Sequence, residues 1–122
     1  MSLNDSILEG DRDFFNTIKR KKTMKTINKE TFSEITSGSA IVQFSATWCG
    51  PCKTLSKTIE ANTDKLATPI YKLDIDAEPA LASEYGVRSV PTMIRFFEGK
   101  EIDRMIGVKP LSQLIEFAAL DI

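Results

Sequence analysis

The sequence predicts an α/β domain built on a mixed β-sheet with helices on both faces, preceded by a helical extension over residues 1–23. Three observations lead there. From Met24 onward, short apolar runs alternate with segments of helical spacing, the pattern of parallel strands joined by crossover helices. Near the end, two strand candidates flank Glu98-Gly99-Lys100, the signature of a hairpin. The chain has 122 residues, enough for one hydrophobic core and too few for two.

In the extension, Leu3, Ile7, Leu8, Phe14, Phe15 and Ile18 recur at roughly helical spacing, with Gly10 as an interruption and Asp11 as a cap for a second stretch. It closes on Lys19-Arg20-Lys21-Lys22, a basic run that reads as the dipole-complementing C-terminus of a helix, with a partner-binding tail as the alternative. Its apolar spacing favours a helix that docks, on the domain or on a second copy in self-association, over a disordered tail or sequence upstream of a start at Met24, and residues 24–122 form the domain proper. Met24–Ile27 reads as a short strand. Asn28 caps a helix through Phe32 and Ile35 that Gly38 stops. Ala40–Ser45 is a buried strand. Pro51 opens a helix to about Leu66, with Leu55, Ile59 and Leu66 on one side. Ile70–Ile75 is the next strand, and Pro79–Tyr85 a helix that ends at Gly86. Thr92–Phe97 and Ile102–Ile106 form the hairpin. Pro110–Leu120 is the last helix, with Leu111, Leu114, Ile115 and Ala118 at core spacing.

Composition narrows the chemistry. Sixteen basic against seventeen acidic residues leave a formal charge of -1, unlike a nucleic-acid binder that works by neutralising phosphates. No apolar run approaches the roughly 20 residues of a membrane helix. Asp5, Glu9, Asp11 and Asp13 stand where a secretory signal or transit peptide would be poor in acids, so the expected location is cytoplasmic. There is no histidine, which removes Ser-His and Cys-His nucleophile pairs. The two cysteines, Cys49 and Cys52, fall short of a zinc ligand set, so no metal is expected. A disulfide spanning two residues adds little chain-entropy stabilisation, because that effect grows with loop length. Redox chemistry is what remains, with no cofactor beyond the Cys49–Cys52 disulfide itself.

The pair sits in Trp48-Cys49-Gly50-Pro51-Cys52, directly after a strand and at the start of a helix. Free N–H groups at a helix N-terminus stabilise a thiolate, the only form that attacks disulfides. Cys52 lies one helical turn on, on the same face and deeper in the helix. That asymmetry suits a two-step exchange: Cys49 forms a mixed disulfide with the substrate and Cys52 resolves it.

The complete pentapeptide resembles the active-site motif of the thioredoxin family. The resemblance runs from about Met24 to the C-terminus and includes Lys72-Leu73-Asp74-Ile75-Asp76, Tyr85-Gly86-Val87, Val90-Pro91-Thr92, the Gly99 turn and Gly107. It implies the thioredoxin fold and protein-disulfide reductase activity, with Cys49 as nucleophile and Cys52 as resolving cysteine. It further implies that Pro91 is the family's cis-proline, with Val90 pairing to an extended substrate segment. Trp48, Gly50, Pro51, Val90, Pro91, Gly107 and Val108 would form the apolar docking surface. The implied partners are protein disulfides and a thioredoxin reductase. Independently, a proline opening a strand is tolerated only at an edge or terminus.

One departure touches the chemistry. Gln43 stands where the family carries a buried aspartate that helps move the resolving cysteine's proton, with the lysine matching Lys72 nearby. Glutamine is neutral and cannot shuttle a proton. Its presence either lowers the Cys49 pKa by removing a nearby charge or is a hydrogen-bonded neutral replacement. Ser45 replaces a frequent second tryptophan, and Lys57 replaces a proline that often kinks the active-site helix. A redox-poor accessory or binding subunit is the alternative reading. An oxidase or isomerase of an oxidising compartment is a third.

Overall fold

The structure, a computed structural model, describes residues 24–119. The expected helix and self-association of residues 1–23 lie outside the described residues, as does Leu120. The described chain runs β1 (Thr26–Ile27), α1 (Lys29–Thr36), β2 (Ser39–Ser45), α2 (Gly50–Ala61), a 3-10 turn (Thr63–Lys65), β3 (Ile70–Asp74), α3 (Pro79–Glu84), β4 (Thr92–Phe97), β5 (Lys100–Ile106) and α4 (Leu111–Phe117). The five strands are ordered β1-β3-β2-β4-β5. β1 and β2 pair parallel to β3, whereas β4 pairs antiparallel to β2 and to β5. This is the mixed sheet that the alternation and the terminal hairpin predict.

The alternation of side chains along central strands splits the core into two layers. One face of the sheet buries Ile41 and Met93 against Leu55 and Ile59 of α2 and Leu114 and Phe117 of α4. The other buries Val42, Phe44, Leu73, Ile94 and Phe96 against Phe32 of α1 and Leu81 of α3. Tyr85 packs edge-on to Phe96 with ring centroids 5.2 Å apart, and Phe32 does so at 5.3 Å. β2 is covered on both faces, which is why Ala40–Ser45 reads as continuous rather than alternating.

Several boundaries differ from expectation. The active-site helix ends at Ala61 rather than Leu66, because Asn62 leaves helical geometry at φ -131 and the Thr63–Lys65 turn follows. Leu66 is nonetheless buried. The hairpin turn is shorter than expected: Glu98 (φ 52) and Gly99 (φ 83) are both left-handed, the geometry of a two-residue type I′ loop. β5 therefore starts at Lys100, and a bulge restores the register between Arg95 and Phe96. The first strand shrinks to Thr26–Ile27, and the last helix to Leu111–Phe117 with Pro110 as its N-cap. On that helix Ile115 is exposed and Phe117 faces the core in its place.

Arg104 ties β5 to the end of α3. Its guanidinium donates to the Tyr85 carbonyl at 2.6 Å and to both carboxylate oxygens of Glu101. The hydrogen bond from Arg104 holds the Glu101 carboxyl below its usual range, outweighing partial burial. A lowered folded pKa stabilises above the unfolded value and is lost as pH falls through the folded one. Glu101→Gln is therefore expected to flatten the acid side of the stability profile. Because the pair is partly exposed, the difference is at most about 1 kcal/mol. Urea unfolding of parent and variant at neutral pH and in the acid range of carboxylate titration measures it; equal differences at both would remove Glu101 as the source.

Candidate active site

Two cysteines are placed by the junction of β2 and α2. Buried β2 leaves the sheet after Ser45, and Pro51, with no N–H to lose, starts the helix within the first turn. Cys49 is the N-cap of α2, and its sulfur accepts from the Cys52 N–H at 3.1 Å. A helix N-terminus with an N–H already aimed at sulfur is the environment that favours a thiolate at Cys49. Cys49 and Cys52 are joined in a disulfide, with Cα atoms 5.3 Å apart. Both are buried in a small apolar cluster with Ala46, against which Ile75 and Val90 pack. Cys52 is the deeper of the two, at 1% exposure against 5%.

The other sequence-predicted residues converge on the same end of the sheet. The Val90–Pro91 bond is cis. The Val90 carbonyl oxygen stands 3.8 Å from the Cys49 sulfur, and a reduced Cys49 thiol has that oxygen to donate to. Gly107, at φ +89, donates its N–H to the Pro91 carbonyl at 2.8 Å and so fastens the end of β5 to this loop. Trp48 is 67% exposed beside the disulfide, and its indole N–H donates to an Asp76 carboxylate oxygen at 2.9 Å. Gly50 and Pro51 are exposed, Val90 is half-buried and Val108 exposed. Pro91, also expected on the docking surface, is buried.

Gln43 is fully buried on the α2 side of β2. Its amide NH2 donates to the Cys52 carbonyl at 3.3 Å, and its oxygen accepts from the Ser56 hydroxyl, also at 3.3 Å. Gln43 is thus hydrogen-bonded in place at both ends. Lys72 is its register partner on β3, so the two side chains leave the same face of the sheet. Among the described residues no hydrogen bond joins them. Lys72 instead lines a cleft of about 380 Å³ with Thr26, Ser45, Lys53 and Asp74.

Three residues were given no role in the sequence. Ile106, 56% exposed, extends the apolar rim beside Gly107. Asp76 lies 28 positions from the Trp48 it holds, a separation that no local pattern signals. Ser56 lies four residues after Cys52 on the motif's own helix face, so helical spacing alone pointed to it.

Comparison with known proteins agrees with this geometry. The thioredoxin family model matches residues 23–119. The chain belongs to the thioredoxin family. It is 42% identical over 95 residues to the thioredoxin of Chlamydia muridarum, covering 76% of this chain and 93% of that protein. It is 39% identical to the thioredoxin of Staphylococcus epidermidis, over 76% of this chain and 91% of that one. Among solved structures it is similar to Malassezia sympodialis thioredoxin, with TM-score 0.70 and 33% identity over 79% of this chain and 90% of that chain. It is also similar to the oxidised thioredoxin of Plasmodium falciparum, with TM-score 0.69 and 29% identity over 80% of this chain and all of the other. The thioredoxin domain of this chain is a protein-disulfide oxidoreductase that acts by thiol–disulfide exchange. Among the described residues no helix is long and apolar enough to cross a membrane.

Proposed function

We propose that Cys49 is the attacking and Cys52 the resolving cysteine of a general protein-disulfide reductase. The observation that carries this is the asymmetry of the pair: Cys49 caps α2 and receives the Cys52 N–H, while Cys52 is enclosed within the helix. The reduced Cys49 thiolate attacks one sulfur of a substrate disulfide, and the other substrate sulfur leaves as a thiolate and is protonated. Cys52 then loses its proton and attacks the Cys49 sulfur. The Cys49–Cys52 bond forms, the second substrate thiol departs, and the protein has taken two electrons' worth of oxidation from its substrate.

Substrate docking is assigned to the rim of Trp48, Val90, Ile106 and Val108 around Gly50, Pro51 and Gly107. Among the described residues, no backbone group bonds the Val90 N–H or carbonyl, so both remain to pair with an extended peptide. Trp48 supplies apolar area while Asp76 fixes its indole. The oxidised form is returned to the dithiol by a thioredoxin reductase, and the setting is the reducing cytoplasm, where a dithiol donor is sustained. No cofactor is assigned beyond the disulfide.

Reduced Cys52→Ser offered insulin as an oxidised substrate tests the two roles. It is expected to accumulate a covalent mixed disulfide through Cys49 that is visible on non-reducing gels and released by dithiothreitol. Cys49→Ser is expected to form none. Equal trapping by both variants would overturn the assignment.

A further inference from the structure

The side chains of β2 and β3 that face α2 change character along the strands. Ile41 and Ile70 pair at one end and join the apolar core. Two and four residues on, the paired positions are Gln43 with Lys72 and Ser45 with Asp74. Thr26 on β1, opposite Lys72, extends the polar patch. The carboxyl ends of parallel strands are where an open α/β sheet leaves room for a ligand. Here they leave the cleft of about 380 Å³, bounded on the helical side by Lys53.

Three groups in the cleft have no partner among the described residues. Ser45 is 5% exposed, and its hydroxyl lines the cleft without a hydrogen bond. The ammonium groups of Lys53 and Lys72 make neither a hydrogen bond nor an ion pair. Asp74, the one carboxylate of the lining, already accepts from the Asp76 N–H at 2.9 Å. A nearly enclosed hydroxyl left unbonded carries a desolvation cost. Two lysines against one engaged carboxylate make the cleft attractive to negative charge. Donors of this kind are completed by an anionic acceptor.

We propose that the cleft is a substrate subsite for a carboxylate side chain that the disulfide protein carries near its reacting cysteine. This deepens the reductase reading and rests on it. Ala46 lines the cleft and also packs with Cys49 and Cys52, so one residue separates the subsite from the disulfide. An extended chain advances about 3.3–3.6 Å per residue, so an acid two to four residues from the substrate cysteine lies about 7–14 Å along the chain from it. Small-molecule pockets are mainly apolar and run from about 300 to 1,000 Å³. This cleft is near the low end, and six of its seven lining residues are polar or charged. It suits one charged side chain of a docked protein better than a whole small molecule. Ser45 is what keeps the space open, since a tryptophan at this position, frequent in relatives, would fill it. An exposed ion pair shifts an equilibrium by up to about fivefold, and salt screens it.

Synthetic peptides closed by one disulfide test the subsite. Each carries a single Glu two, three or four residues from the reacting cysteine, and each has a matching Gln peptide. Acid quenching and chromatography give the second-order rate at which the reduced protein reduces them. The readout is the Glu-to-Gln rate ratio, from which any change in the Cys49 thiolate cancels. In the parent this ratio is expected to reach about three to five for at least one position and to fall to about one in about 1 M salt. Lys53→Gln is expected to halve the preference or more, and Ser45→Trp to abolish it. Lys57→Gln removes an exposed charge one turn further along α2, outside the cleft, and is expected to leave the preference intact. Lys53 is exposed, so its variant decides the matter even where Ser45→Trp fails to fold. A ratio near one at every position in the parent would overturn the proposal. So would a ratio unchanged in Lys53→Gln or in folded Ser45→Trp, or an equal drop in Lys57→Gln. Failure of the parent to reduce either series would instead overturn the reductase reading, a result distinct from equal reduction of both.

Discussion

Cys49→Ser is expected to reduce turnover to the uncatalysed background. The reason is a matter of electrons as well as nucleophilicity. A serine oxygen does not form the mixed disulfide through which two electrons pass, and the remaining Cys52 is enclosed at 1% exposure. The helix N-terminus and the Cys52 N–H at 3.1 Å, which favour a thiolate, have no comparable effect on a hydroxyl that does not ionise near neutrality. Coupled oxidation of the reduced nicotinamide cofactor by a thioredoxin reductase, with insulin as acceptor, measures the loss. Turnover in Cys49→Ser above the level of the double Cys→Ser protein would mean that another group carries the exchange. The fold itself should survive, since a disulfide closing so short a loop contributes little to stability.

Gln43→Asp is expected to raise the Cys49 pKa by up to about two units. A carboxylate about 6 Å from the thiolate, at an effective dielectric near 20, is worth at most about 3 kcal/mol. Restored charge disfavours the thiolate, and because it destabilises the reduced form, the potential of the domain should become more reducing. By the same argument the parent, with its neutral amide, is expected to be more oxidising than relatives that carry the acid. Thiolate absorbance near 240 nm against pH measures the shift directly, and an unchanged Cys49 pKa would defeat the electrostatic account. The variant also acquires a stability profile that the parent lacks. An aspartate at this fully buried position has its pKa raised by desolvation. A raised folded pKa stabilises below the unfolded value of about 3.9 and loses that contribution as pH rises towards the folded value. Gln43→Asp should therefore weaken by about 1.4 kcal/mol per pH unit over that window. Both measurements report the ionisation of that one carboxylate, the first through a thiol and the second through the whole fold.

Much of the site was legible in order along the chain. The pentapeptide at residues 48–52 and the absence of histidine pointed to redox exchange, since Ser-His and Cys-His pairs and an ordinary zinc site could not be built. Alternating apolar runs dictated the sheet, and Pro51 dictated where the active-site helix starts. Those features are local, and local physics of periodicity, capping and turn geometry acts on them directly. Where the sequence misled, tertiary packing decided: Phe117 rather than Ile115 turned inward on α4. The two-residue loop at Glu98-Gly99 lengthened β5 by setting both residues left-handed.

What only the tertiary structure decided is the surroundings of the cysteines. Asp76 reaches Trp48 across 28 positions, and Val90 reaches Cys49 across 41. Gln43 could be recognised in the sequence as uncharged, but whether it was merely tolerated or held in place was not readable there. A hydrogen bond needs two groups brought together in a stated direction, and only the packing of β2 against α2 sets Gln43 between Cys52 and Ser56. The sequence by itself determined that this chain is a dithiol; the fold determined which groups each sulfur meets.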